Sequence, residues 1–271
     1  MKYICKIFAS AAIAATALSA FGWGQKGHDT TAYIAQCNLT PAAVDSVKAI
    51  LNGKSMVYYA NWADNACHTE PYAYTRTWHY KNVNEGVDYE KAPTIKEGNV
   101  VTALESQIAV LKDSTASKDD KWLALVLTVH FLGDIHQPMH LGRETDRGGN
   151  YHKIKYFNNG TNLHTVWDSK LPEAAHKWSY TEWRNNIDDV PADVMAGYIK
   201  GGTPDSWAKE THDIAKRVYE ETPEGTNVNY DYIAEWTPVI EQQFLLGGHR
   251  LADLLNDIFD PAYEGLNGIG R

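Results

Sequence analysis

The run from His130 to His140, H-F-L-G-D-I-H-Q-P-M-H, constrains this chain more than any other stretch. It closes an apolar run, Trp122 to Val129, and then sets His130 and Asp134 four residues apart. On a helix that spacing stacks an imidazole and a carboxylate on one face, within reach of one metal ion. Pro138 stops or kinks the helix, so His140 can point elsewhere. His164 and Asp168, in N-L-H-T-V-W-D, repeat the spacing. One His-x3-Asp is common by chance. Two of them bracketing a His-Gln-Pro-x-His turn point to a metal site.

Helical signals dominate the rest. His28 opens a short helix through Gln36, and Thr40-Pro41 reads as an N-cap with proline at the first position of a helix ending near Gly53. Val57 to Ala66 is predicted helical and contains Trp62-Ala63-Asp64. The Tyr-, Thr- and Pro-rich stretch after it is predicted irregular up to Trp78-His79-Tyr80-Lys81-Asn82-Val83. Val100, Val101, Leu104, Ile108 and Leu111 restore the helix period, and the metal-bearing helix follows from about Lys118. Gly148 to Phe157, running into Asn158-Asn159-Gly160, predicts a small β-hairpin. Thr203-Pro204 caps a helix toward Tyr219, and Pro223-Glu224-Gly225 breaks it. A last long helix runs from about Tyr230 to Phe259, where Gly247-Gly248 permits close helix contact. After residue 22 there is no internal repeat, low-complexity linker or composition break. The chain therefore reads as mainly α, with a single large α-helical domain over residues 23–271 and a small β-hairpin.

Residues 1–22 read as a secretory leader. Lys2 and Lys6 flank its start, Ile7 to Phe21 is apolar but short for a bilayer span, and Ala20 and Gly22 are small residues ahead of a cleavage before Trp23. Cys5 is far from that point, which argues against a lipoprotein anchor. No later run is long and apolar enough for a span. The expectation is a secreted or periplasmic monomer with no membrane association. Cleavage would leave 23 basic against 34 acidic residues, a net of −11 where the full chain carries −9. Such a surface argues against capture of nucleic acid by a basic face, but not against a local cationic site made of bound metal ions. Cys37 and Cys67 would remain, and an oxidising compartment permits one disulfide between them. Nine Trp and sixteen Tyr supply core contacts and surfaces on which bases can stack.

The candidate metal ligands are Trp23, His28, Asp64, His79, His130, Asp134, His140, His164 and Asp168. Once cleavage frees it, the Trp23 amine can chelate a metal together with its own carbonyl. Its reference pKa of roughly 8 makes deprotonation by a cation easy near neutrality. Nitrogen and oxygen donors of this kind suit zinc, with other divalent metals open. Nine ligands are too many for one tetrahedral ion and fit three ions that share a carboxylate. The other histidines, His68, His136, His152, His176, His212 and His249, read as surface or capping residues.

These motifs, W-G-x-x-G-H from Trp23, W-A-D, W-H-Y, H-F-x-G-D-x-x-Q-P-x-H, G-G-N and N-L-H-x-x-W-D, resemble the single-strand-specific zinc nucleases of the S1/P1 type, within the phospholipase C/nuclease superfamily. The matches run in order from Trp23 to Asp168; beyond them no motif is comparably specific. The resemblance implies three Zn²⁺. Asp64, His79, His130 and Asp134 would hold the first, Trp23, His28 and a shared Asp134 the second, and His140, His164 and Asp168 a third, more exposed ion. It gives Asp64 and Asp134 catalytic roles. A water between the close pair would ionise near neutrality and attack phosphorus in line, Asp64 helping to orient it, while the third ion stabilises charge on the departing 3′-oxygen.

For substrate binding, Tyr80 stands where the family places an aromatic that stacks a nucleobase, a platform open only to unpaired bases. Asn82 stands where fungal members carry an Asp that bonds the base edge. Asn150, after Gly149, fits substrate contact and turn chemistry equally. The position three after Asp64, where the family often carries a basic residue, is Cys67, and two cysteines do not suffice for the fungal disulfides. The implied activity is an exported trinuclear-zinc phosphodiesterase cutting single-stranded DNA and RNA to 5′-phosphate products, with 3′-nucleotidase activity on 3′-mononucleotides. One rival is a zinc-dependent phospholipase C, which shares the ligand architecture but typically has Glu at the position of Asp168. The other is a non-catalytic zinc-binding exported protein.

Overall fold

The computed structural model describes residues 23–93 and 95–270; the leader expected at residues 1–22 lies outside them. Helix α1 spans Gln25–Cys37 and α2 Pro41–Ile50. Thr40 caps α2, its hydroxyl accepting from the Ala43 amide, and Pro41 opens it. The single helix expected over residues 57–66 is instead two short ones, α3 (Met56–Tyr59) and α4 (Trp62–Ala66). Asn61 stands between them, and its side-chain amide donates to Asp29 on α1 at 2.7 Å, which draws the backbone out of the helical path. The stretch expected to be irregular is a 3₁₀ helix, Glu70–His79. Its three-residue turn leaves no 3.6-residue pattern to read. Next come α5 (Val100–Lys112), closed by a capping box between Asn99 and Thr102, and α6 (Lys118–Asp134), capped by Ser117 with Asp119 and Asp120 in its first turn.

Helix α6 is the axis of the fold. Every residue from Ala124 to Asp134 is buried, which for a helix requires neighbours on all sides. Beyond it a 3₁₀ turn, Pro138–Leu141, leads to strands β1 (Lys153–Tyr156) and β2 (Asn159–Asn162), paired antiparallel with Lys153 opposite Asn162. The hairpin turns at Phe157-Asn158, one residue before the expected signal. Both have left-handed φ (48° and 65°), as a tight two-residue turn between twisted strands requires. Helix α7 (Leu163–Thr165) passes through a π turn, Val166–Lys170, into α8 (Leu171–Ala175). Helices α9 (Tyr180–Ile187), α10 (Ala192–Ile199) and α11 (Pro204–Glu221) follow, the last capped by Thr203. A two-residue strand β3 (Asn227–Val228), not anticipated from the sequence, pairs parallel with β1. The closing helix α12 covers Tyr230–Phe259, as expected.

Two apolar clusters flank the centre. One surrounds α5 and α6, with Leu104, Leu125, Phe131 and Leu132. The other gathers Trp23, Trp167, Trp183, Trp236 and Phe244. Helices α1 and α12 close tightly, because a Cβ at Gly248 would lie 2.4 Å from the Ile34 side chain. The segment after α12 folds back on two buried carboxylates. Asp253 accepts from the Tyr263 hydroxyl, the Leu266 amide and the Asn267 side chain, and Asp257 accepts from the amides of Gly265 and Gly270. Cys37 is exposed and Cys67 buried, and both are free thiols, so the permitted disulfide is absent. Among the described residues no helix is long and apolar enough to cross a membrane.

Candidate metal centre

Eight of the nine candidate ligands contribute side chains, and these come together between the two clusters in three groups: His28, His130 and Asp134; Asp64, His79 and His130; His140, His164 and Asp168. In each group one donor atom per residue lies within 4.8 Å of the others. The i, i+4 pair on α6 supplies His130 and Asp134, and α1 supplies His28. Asp64 sits on α4, and His79 ends the 3₁₀ helix. His140 comes from the turn that Pro138 opens, while α7 and its π turn supply His164 and Asp168. A π turn inside a helix often marks a functional site, and here it carries Asp168.

Asp134 lies at the meeting point. Its Oδ2 is 3.1 Å from His79 Nδ1 and 3.3 Å from His130 Nε2, while its Oδ1 is 3.4 Å from both His28 Nε2 and His140 Nδ1. Asp64 Oδ1 adds a contact of 3.3 Å to His130 Nε2. The rings are aimed by backbone carbonyls. His130 Nδ1 donates to Ala60 O at 2.7 Å, His164 Nδ1 to Gly148 O at 2.7 Å, and His140 Nδ1 to His79 O. Fixing one ring nitrogen this way turns the other toward the centre. His28 stacks flat on His130, with ring centroids 3.9 Å apart. Gly133 makes room for it, since a Cβ there would lie 2.7 Å from His28 Nδ1. Gln137, to which the sequence reading gave no role, donates to Asp168 Oδ1 at 3.2 Å.

The protonation pattern is that of a centre short of positive charge. Burial alone would raise Asp134, but the surrounding imidazoles, His130 first, hold its carboxyl well below the usual range. Burial opposes a charge on His130 too, yet Asp134 and Asp64 raise it to about 9. Burial, then Asp64, pushes the Asp168 carboxyl well above the usual range. Burial, then His140, pushes His164 down to about 3. Both nitrogens of His28, the Nε2 atoms of His140 and His164, and Asp134 Oδ1 are buried without a hydrogen-bond partner. Buried donors and acceptors are ordinarily satisfied, so clustered lone pairs facing one another fit cations. The nitrogen and oxygen donors suit zinc.

Trp23 is fully buried against Phe244, and the adjacent Gly24 amide donates to Asp168 O at 2.8 Å, which sets the Trp23 main chain beside that of Asp168. His79, His140 and His164 line a cleft of ≈600 Å³ that Tyr80, Asn82 and Asn150 also line. Asn150 has turn chemistry as well, its side-chain amide donating to Arg147 O at 2.9 Å.

Arg76, Glu144, Arg147, Tyr151, Lys153 and Asn162 also line the cleft, and the sequence reading assigned none of them to it. Arg76 donates to the Cys67 carbonyl at 3.4 Å, so a guanidinium reaches the position where the cysteine offers no charge. The Cys67 thiol is raised to about 11 by burial and by Asp64. Of the histidines read as surface or capping residues, His136, His152 and His212 are buried and take the capping role. Each is bonded to a backbone carbonyl, of Leu132, Thr222 and Leu141 respectively. Closely packed helices leave carbonyls at their ends and bends, and an imidazole N–H satisfies them.

The sequence is similar to known proteins over most of its length. A sequence model of the S1/P1 Nuclease family matches residues 23–260. Nuclease S1 of Aspergillus oryzae is 29% identical over 281 residues, covering 91% of this chain and 95% of that protein. Endonuclease 4 of Arabidopsis thaliana is 28% identical over 277 residues, 90% of this chain and 92% of that protein. Nuclease P1 of Penicillium citrinum is 28% identical over 268 residues, 87% and 97% respectively.

Proposed function

Because the chain belongs to the S1/P1 nuclease family, we propose that it is an exported zinc phosphodiesterase. It hydrolyses single-stranded DNA and RNA to 5′-phosphate products and removes the phosphate of 3′-mononucleotides. The reading rests on one observation above all: three His/Asp groups converge beneath a cleft walled by aromatic and cationic side chains. One zinc ion would be held by Asp64, His79, His130 and Asp134. A second would be held by the Trp23 amine and carbonyl, His28 and Asp134, and a third by His140, His164 and Asp168. Zinc bound there would supply Lewis acidity, activating water and stabilising charge on a phosphoryl group.

The chain's own residues do the positioning. Asp134 faces imidazoles with both oxygens and can serve two groups at once, which fixes their separation. The Asp64 side chain is 21% exposed, against 0% for Asp134, so it can accept from an attacking water as well as ligate. The Tyr80 ring offers a face to an unpaired base, and the Asn82 amide offers a donor and an acceptor to its edge. Arg76 brings a cation to the Cys67 carbonyl, on the cleft wall. Export with cleavage before Trp23 is part of the proposal. The family match begins at that residue, and its buried side chain and docked main chain suit a terminal ligand.

The test takes the processed protein, counts metal, and offers it single-stranded DNA, 3′-AMP and phosphatidylcholine. One zinc for each of the three groups, with cleavage of the first two substrates, is expected. Lipid turnover without DNA cleavage would instead make it a phospholipase C. Zinc without any hydrolysis would make it a binding protein.

A further inference from the structure

Tyr151 is 54% exposed although it lines the cleft, and its ring face meets cations: the Arg147 guanidinium lies 5.2 Å from the ring centroid and Lys153 Nζ 6.0 Å. The loop that presents it is closely determined. Arg147, Gly148 and Gly149 all have left-handed φ, of 53°, 61° and 82°. The Gly149 amide donates to Asp146 Oδ1 at 2.7 Å and the Tyr151 amide to Asp146 O at 2.9 Å. A Cβ on Gly148 would lie 2.3 Å from Met139 O, so the loop sits hard against the cleft floor. It also hangs on one candidate ligand: His164 Nδ1 donates to Gly148 O, and the His164 amide to Gly149 O at 3.3 Å.

Tyr80 is attached to a different group, following His79 directly. The two tyrosines therefore belong to separate ligand groups of one cleft. A phosphodiester over the ligands joins two nucleosides, and one ring serves only one of them. Among the charged residues lining the cleft, Arg76, Arg147 and Lys153 outnumber Glu144, as an anionic strand requires.

We propose that Tyr151 is a second nucleobase platform, taking the nucleoside across the scissile phosphate from the one at Tyr80, with Arg147 and Lys153 meeting the next phosphate. This rests on the nuclease reading and adds a specificity-determining residue to it: single-stranded oligonucleotides of two or more residues gain over 3′-mononucleotides by a second stacking contact. Removing one base–aromatic stack weakens binding by about tenfold.

The experiment compares wild type, Tyr151→Ala and Tyr151→Phe. It measures KM for a short oligo-dT and for 3′-AMP, and binding of a fluorescent phosphorothioate oligo-dT by anisotropy at low salt. Tyr151→Ala should raise the ratio of oligonucleotide KM to 3′-AMP KM about tenfold and weaken phosphorothioate binding by a similar factor, while Tyr151→Phe stays near wild type. An unchanged ratio and unchanged binding in Tyr151→Ala would overturn the proposal. So would a loss that Tyr151→Phe shares, because the hydroxyl and not the ring would then be responsible. Should the wild type cleave neither substrate, the nuclease reading fails, and the anisotropy comparison still decides the platform by the same criterion.

Discussion

Asp134 concentrates the chemistry at the scale of single residues. Its carboxylate meets imidazoles at 3.1–3.4 Å on both oxygens, and its held-down pKa records that crowding. The third group touches it through His140. His140→Ala and Asp168→Asn should each lower turnover by more than about a hundredfold, beyond the loss typical of outer-sphere partners, while the fold survives. Circular dichroism with kinetics on 3′-AMP checks this, and unchanged rates would remove the third group from the mechanism. Protons give a second handle. Without metal, His130 keeps its proton at neutral pH because its pKa stands near 9, and Asp168 is biased the same way by burial. Ligation requires both groups deprotonated, so zinc uptake at pH 7 should release protons, that of His130 foremost, and affinity should fall as pH falls. Titration calorimetry in two buffers of different ionisation enthalpy reads this directly; a buffer-independent enthalpy would contradict it. The His/Asp groups were legible as candidates because type and spacing are local properties of the chain. Arg76, Arg147, Tyr151 and Gln137 were not, because each acquires its role from a neighbour distant in sequence or from a left-handed turn.

Helices and turns differ in how much of themselves they announce. Thr40, Ser117 and Thr203 mark helix starts with side-chain bonds made within three residues, so α2, α6 and α11 could be placed from sequence. Strand β3 is set by pairing of Asn227 and Val228 with Lys155 and Tyr156, a contact no local pattern encodes. The 3₁₀ helix before His79 escaped for the related reason that its aromatic and polar residues follow neither helix nor strand period. At the start of α1, Trp23 is buried and the neighbouring Gly24 amide is bonded to Asp168 O, which leaves little tolerance for chain ahead of it. Extra residues before Trp23 should lower zinc content and activity together. Metal analysis of an extended and a correctly processed protein checks this, and equal zinc with full activity in the extended form would rule out the terminal chelate.

For the whole molecule, the two apolar clusters leave the polar centre on the seam between them: His130 and Asp134 alternate with residues of one cluster, His164 and Asp168 with residues of the other. Metal should therefore tie the clusters together and stabilise the native state by mass action. The far side is held by the carboxylates of α12. Asp253 is 3% exposed and accepts three hydrogen bonds from the segment that follows the helix. Asp253→Ala should cost about 2–4 kcal/mol, given what charged hydrogen bonds contribute, and free that segment to proteases. Urea unfolding with limited proteolysis checks it, and wild-type stability would show the clasp to be incidental. The same clasp bears on how the protein can be handled. A fusion partner joined past Gly270 would start from a buried glycine gripped by Asp257, whereas the hairpin turn at Phe157-Asn158 leads to the exposed Gly160, beside which the space is open. Epitopes, surface-attachment chemistry and inserted reporters belong on that loop.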